Sequence, residues 1–473
     1  MSEYFKYCPK IGLAAMESVL GIELSTTAII IGLFAAMVGF ACFVLMLIKK
    51  ERANWVIGVM LFASSLGIPV EYNGKVITGI FFKLQLYRSE LFLLCGMALA
   101  CHVLVHIRET KGRFVSLQGS IIVVMGFYAA LLRFIHSGAA DGSESVLYAF
   151  FTLIPLLWAL PLLIHDFSDV WRLLRTFAVV NAIWIGGVAA QIAINPSIVV
   201  IGREQRFIGL LGNPQHTGTL MAVFVALSLY LFLNDPLKRY KLIYLALIGV
   251  NTVFLAWTGS RTGLGMAVLA ITGVLYARVG KAILWLPAVA IFVAISLKLL
   301  EMTGLSIGFE RLASTSNTRA SAWSNLWHNG LDSPIIGKGV EGAGDSENGY
   351  LYGFAAYGIG MVMLIMILML GTAYTSFKLW VRRKYLPIEY RSLSDFLIGY
   401  FALYFGGSFF EGYMMARVAS HLLFFLVFTG IASQFIQMTN RALAAEPGLD
   451  DEYDADEAYK YEVGYYNDSY PAL

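Results

Sequence analysis

The chemistry legible in this chain sits in a few arginines that lie against the ends of apolar segments. Arg206 stands in REQRFIGLLGNPQHTG, Arg261 in TGSRTG, and Arg311 and Arg319 in the long polar interval 301–350, with Arg203 and Arg417 in similar positions. A guanidinium stays charged beside lipid, and its planar fork holds phosphate through paired hydrogen bonds. One such arginine reads as an anchor whose stem lies along apolar surface. Several on one face, beside Gly209, Gly212, Gly259 and Gly263 where backbone can approach a ligand, read as a site for an anionic, lipid-linked diphosphate.

Glu347 is the leading candidate for proton transfer. In GDSENGYL it directly precedes an apolar segment, so it hangs at a water–lipid boundary where loss of water makes a carboxylate a better proton acceptor. The same residues suit a helix start, with Asp345, Ser346 and Glu347 favouring a helix that begins near Asn348, and the two readings stay equally open. Glu411 and Asp345 are second choices for an acid or base. His216 and His328 read as interfacial polar groups, and His421 as a packed one. Arg319, Trp323 and Trp327 follow one another at intervals of four and share a helix face. A tryptophan there anchors to the interface or stacks on a sugar ring. No pair of histidines or acids has zinc spacing, so neither a metal nor another cofactor is expected.

These residues need a scaffold, and composition says what kind. Of 473 residues 58% are hydrophobic and 14% charged, which places the chain among polytopic membrane proteins. The net charge of +3 and the lack of a dense basic run exclude nucleic acid as a partner. The expected fold is all-α, with about 12 to 14 transmembrane helices of roughly 20 residues each. Candidate spans are 28–48, 54–70, 91–107, 116–135, 146–164, 177–195, 217–233, 242–257, 263–277, 282–300, 351–376, 395–410 and 419–436. The first reads as a span rather than a cleavable signal, because it ends in Lys-Lys-Glu-Arg.

Lys and Arg fill every second loop, from Lys49, Lys50 and Arg52 through Arg172 and Arg175 to Arg382, Arg383 and Lys384. The positive-inside bias makes these loops cytoplasmic and puts 136–145 and 301–350 on the other side. The chain then divides into an N-terminal segment 1–27, a membrane domain 28–436 that includes the loop 301–350, and an acidic, Tyr-rich tail 437–473 expected to be disordered and cytoplasmic.

On three motifs the chain resembles the O-antigen ligase and O-antigen polymerase superfamily of bacterial inner-membrane glycosyltransferases. The first is Arg206-x-x-Gly209-x-x-Gly212-Asn213-Pro214 with His216 behind it, and the second is the turn from Thr258 to Gly263. The third runs from Arg319 and Trp323 through Pro334, Gly337 and Gly339 to Glu347-Asn348-x-Tyr350, with Gly358 and Gly360 in the span that follows. The resemblance covers about residues 200 to 430. It implies glycan transfer at the periplasmic face from an undecaprenyl-diphosphate-linked donor to a sugar hydroxyl, with neither metal nor nucleotide sugar. Arg206, Arg261 and Arg319 would hold the diphosphate, with Arg311, Asn213, His216, Asn348 and Trp323 in supporting positions, and Glu347 would be catalytic. Ligases of the superfamily carry histidine where Glu347 stands. The expectation is therefore a polymerase of O-antigen or exopolysaccharide repeat units first, and second a ligase that uses lipid A-core as acceptor. A polysaccharide transporter or flippase is the competing class; it would place its charges near the bilayer midplane between repeats.

Overall fold

The structure is a computed structural model that describes residues 50–67, 87–110, 115–201, 205–286, 319–412, 414 and 419–445. The expected span 28–48, most of 282–300, the residues Arg203, Arg311 and Arg417, and the tail from 446 onward lie outside the described residues.

The described chain is a helix bundle. Its elements are α1 (Lys50–Ser64), α2 (Arg88–Val105), α3 (Leu117–Ser137), α4 (Ala139–Leu163) and α5 (Phe167–Ile194). A two-residue hairpin follows, β1 (Val200–Ile201) against β2 (Arg206–Phe207). Then come α6 (Pro214–Asn234), α7 (Lys241–Trp257), α8 (Arg261–Val279), α9 (Ala320–Asp332), the short α10 (Gly339–Ala343), α11 (Gly349–Arg382), α12 (Ile388–Ser408) and α13 (Ser420–Ala445). Among the described residues nine helices are long and apolar enough to cross a membrane. Large apolar side chains stand outward on them, such as Leu104, Leu242, Leu370 and Phe377, as a lipid-facing surface requires. The protein is an all-α polytopic membrane protein.

Lipid competes equally for apolar side chains, so helices in a bilayer pair through close backbone approach. Helices α8 and α12 do so at Gly273 and Gly399, where a Cβ on Gly273 would come within 2.6 Å of the Asp395 carbonyl oxygen. Helices α6 and α13 are enclosed almost all round and form the centre. Tyr404 stacks on Phe425 and Tyr400 meets Phe428 edge-on between α12 and α13 there, with Phe424 stacked on Phe428.

Two departures from the expected spans have local causes. The interval 136–145, expected as a loop, is helical from Ala139 onward. Only Gly138, at φ +88°, breaks the chain, and Asp141 lies in the favourable first turn. Farther along α4, residues Ala149–Leu153 wind as a π-helix. Pro155 has no N–H for the Phe151 carbonyl, and Gly96 of α2 lies so close to that oxygen that a Cβ would meet it at 2.0 Å.

The second departure is inside α11, where Gly358 takes φ +74° and ψ −169°. The segment after α9 docks onto this break: Ile359 N–H donates to the Pro334 carbonyl at 2.8 Å, and Lys338 N–H to the Ala355 carbonyl at 2.7 Å. The polar interval is thus pinned to the helix it precedes.

Candidate functional site

The site is assembled where three helices begin, and each beginning is capped by a short polar side chain. Asn213 opens α6 by accepting from Gln215 N–H and His216 N–H. Ser260 opens α8 by accepting from Gly263 N–H, and Asn348 opens α11 by accepting from Tyr350 N–H and Leu351 N–H. The first turns of α6 and α8 are in backbone contact, since a Cβ on Gly263 would lie 2.7 Å from the Gly218 carbonyl carbon. The Ser260 hydroxyl also donates to Gln215 Oε1 at 2.8 Å, which locks the two ends together.

The hairpin carries Arg206 to this place. Phe207 is fully buried between Phe254 and Trp257, at ring distances of 4.4 and 5.1 Å. Successive strand residues face opposite ways. Arg206 accordingly lies over the α7–α8 turn, and its Nε donates to the Thr258 carbonyl at 2.8 Å. Gly259 makes that turn at φ +60°, and Arg261, the first residue of α8, is exposed beside it. Two arginines therefore lie beside the joined starts of α6 and α8, where the partial positive charge of the helix ends adds to theirs, although Asn213 already takes the first N–H groups of α6.

The connection to the polar interval runs through Glu411, which is buried. One carboxylate oxygen accepts from Arg319 Nη2 at 2.8 Å, and the other lies 3.5 Å from His216 Nε2, an ion pair when that histidine is protonated. Arg319 Nη1 donates to the Phe410 carbonyl, and the guanidinium lies 5.7 Å from the Phe410 ring. Two terminal nitrogens of Arg319 are thus already engaged inside the protein. Beneath His216, Thr219 Oγ1 and His421 Nε2 are 2.7 Å apart, so His421 is a packed histidine as expected.

Glu347 sits on the near side of α9. Its carbonyl accepts from Trp323 Nε1 at 3.2 Å. Its carboxylate does not cap α11, because Asn348 does. Oε2 of Glu347 is buried and meets no hydrogen-bond donor among the described residues. The chain on either side is fixed: a Cβ on Gly349 would lie 3.2 Å from the Glu411 carbonyl oxygen, and one on Gly412 would lie 2.5 Å from that of Ser346.

Contacts therefore link Arg206, Arg261, Asn213, His216, Arg319, Trp323, Glu347 and Asn348 into one end of the bundle. Arg311 lies outside the described residues. The oxygens of Asn213 and Asn348 serve as caps, which leaves only their amide N–H groups for a ligand. Trp327, although it follows Trp323 on the helix, packs on Phe354 at 5.7 Å, and His328 Nδ1 meets the Ser324 carbonyl at 2.7 Å on α9 itself. Glu411, a second choice on sequence grounds, joins α9 to α6, and Gln215 joins α6 to the Ser260 cap of α8. Their partners lie too far along the chain for any spacing to reveal.

The chain matches no model of a known protein family, and no curated protein matches it.

Proposed function

We propose that this end of the bundle faces the periplasm and transfers a glycan from an undecaprenyl-diphosphate-linked donor to a sugar hydroxyl, polymerising O-antigen or exopolysaccharide repeat units in the inner membrane. The observation that carries this reading is the pairing of a cationic patch with a separate, half-buried carboxylate, one oxygen of which is enclosed. Arg206 and Arg261 lie at the joined starts of α6 and α8. Glu347, with an oxygen that meets no donor among the described residues, lies across Glu411 and Arg319 from them.

In the proposed step Glu347 takes the proton of the acceptor hydroxyl. The hydroxyl oxygen forms a bond to the anomeric carbon, and the bond from that carbon to the diphosphate breaks. The electron pair leaves on the diphosphate, whose developing charge Arg206, Arg261 and the two helix N-termini offset. Attack opposite to the leaving group inverts the anomeric centre. Arg319 holds Glu411 and the first turn of α9, which sets Trp323 against the Glu347 carbonyl with its half-exposed ring 6.2 Å from that of Phe410.

The three guanidinium groups outnumber Glu347 and Glu411, so the patch stays positive for an anionic donor. Their clustering at one end of the bundle favours this surface chemistry over a transport pathway. Reconstitution with a short lipid-linked repeat unit tests the reading. A ladder of longer lipid-linked glycans supports a polymerase. Product seen only when lipid A-core is added makes the protein a ligase, and substrate carried across the bilayer without new glycosidic bonds makes it a transporter.

A further inference from the structure

The end of the bundle opposite the candidate site is basic, and part of that charge lies over the bundle axis. Arg278 of α8 donates to Asn234 Oδ1 at 2.9 Å, and Arg382 of α11 donates through Nε and Nη2 to Asn440 Oδ1 at 2.9 and 2.7 Å. Asn234 and Asn440 stand near the ends of α6 and α13, the two helices that the rest of the bundle encloses. The Tyr276 ring of α8 lies 5.5 Å from that of Trp380 on α11, which brings the two arginine-bearing helix ends side by side. Acids at this end are already paired: Asp169 with Arg172, Asp235 with Arg175 and Asp395 with Arg383. Arg278, Lys281, Lys378, Arg382 and Lys384 meet no carboxylate among the described residues. Three of them, Arg278, Lys281 and Lys384, are exposed.

The chain itself carries the matching charge. Helix α13 runs from Asn440 to its end at Ala445, so the segment 446–473 starts beside Arg382. That segment holds nine Asp or Glu, one Lys and six Tyr, and six of the acids fall within 450–457. A chain of its 28 residues spans roughly 30 Å on average, against about 10 Å between the axes of neighbouring packed helices. Tethering keeps the acids near the patch at an effective concentration on the order of millimolar. Lipid headgroups carry similar charge, but they surround the rim of a bundle, whereas Arg278 and Arg382 reach its two enclosed helices.

We propose that the acidic segment 446–473 folds back onto this end of the bundle, with its 450–457 run lying on Arg278, Arg382 and Lys384. Each exposed ion pair is weak alone, and the contact gains its strength from several acids meeting several cations at once. It is therefore screened by salt. This docking stands apart from the glycan-transfer reaction and does not depend on it.

The test uses the full chain in nanodiscs of zwitterionic lipid that hold one chain each. A carbodiimide couples a lysine amine to a carboxylate only where the two touch, and mass spectrometry identifies the joined peptides. Lys281, Lys378 and Lys384 should be linked to acids of 450–457. The yield should fall severalfold at about 0.5 M salt, where screening acts within a few ångströms. Arg382→Glu, which leaves every lysine and every tail acid in place, should lower it about fivefold, as expected for the loss of two exposed ion pairs. Arg382→Lys should keep it. Links that resist salt and are unchanged in Arg382→Glu would be chance encounters of a tethered tail and overturn the docking, as would the absence of links. The links should also survive in nanodiscs of phosphatidylglycerol; their loss there would give the basic end to lipid headgroups and overturn the proposal.

Discussion

Arg319 donates to Glu411 at 2.8 Å across an interval of 92 residues, and this contact joins the helix of the polar interval to the end of α12. Both groups are largely shielded from water, with side-chain exposures of 17% and 8%. Removing one partner would leave the other charged and poorly solvated. Glu411→Ala should therefore destabilise the protein by about 3 kcal/mol. It should also release α9, and hydrogen exchange of the α9 amides reports that directly. Protection equal to wild type in α9 would show that Glu411 does not hold it.

Arg206 and Arg261 are predicted to bind the donor. Arg206→Ala or Arg261→Ala should weaken binding of a lipid-linked diphosphate by about 10- to 100-fold, the usual range for a charge-assisted hydrogen bond. Arg→Lys at either position should recover part of it, since charge remains but the fork is lost. Isothermal titration in detergent measures both, and wild-type affinity in the alanine variants removes the cationic patch from the account.

Gly358→Ala is expected to damage the docked interval more than the helix. The backbone at φ +74° and ψ −169° belongs to a region that only glycine adopts readily, at a cost of about 1–3 kcal/mol for other residues. A Cβ there would also meet the Ile335 carbonyl oxygen at 2.2 Å. Thermal unfolding should show a clear drop in Tm, together with faster proteolysis between 333 and 344.

At the opposite end of the bundle, Asp235 caps α6. Burial pushes its carboxyl up, but hydrogen bonds from Arg175, Tyr244 and the Leu237 N–H outweigh that and hold it below the ordinary 3.8. A depressed folded pKa contributes stability that is complete above the unfolded value and is lost as pH falls through the folded one. Asp235→Asn should cost about 2 kcal/mol at neutral pH. The gap in Tm between variant and wild type should close only as pH drops below 3.8. A gap independent of pH would assign the loss to packing.

Much of this architecture was readable from patterns that act locally. Apolar runs of spanning length gave most of the helices, and the glycines around Arg206 and Arg261 marked turns that the backbone does make, with Gly209, Gly212 and Gly259 all at positive φ. The cap of α11 was legible only in part, because Asp345, Ser346, Glu347 and Asn348 are all competent near a helix start. Geometry decided for Asn348, and that choice leaves the Glu347 carboxylate out of the helix. The central place of Glu411 was not legible. Its partners Arg319 and His216 belong to other helices, and no periodicity connects positions joined only by folding. The polar composition of 136–145 argues for a loop, yet only Gly138 interrupts the backbone and the chain is helical from Ala139.

The central claim is that Glu347 takes the acceptor proton, and one comparison tests it most directly. Release of undecaprenyl diphosphate from a labelled lipid-linked donor, measured for wild type and Glu347→Gln alongside donor affinity, separates chemistry from binding. The account predicts unchanged affinity and release slowed by about 10²- to 10⁴-fold, the usual contribution of a general base. Release at the wild-type rate from Glu347→Gln would contradict it.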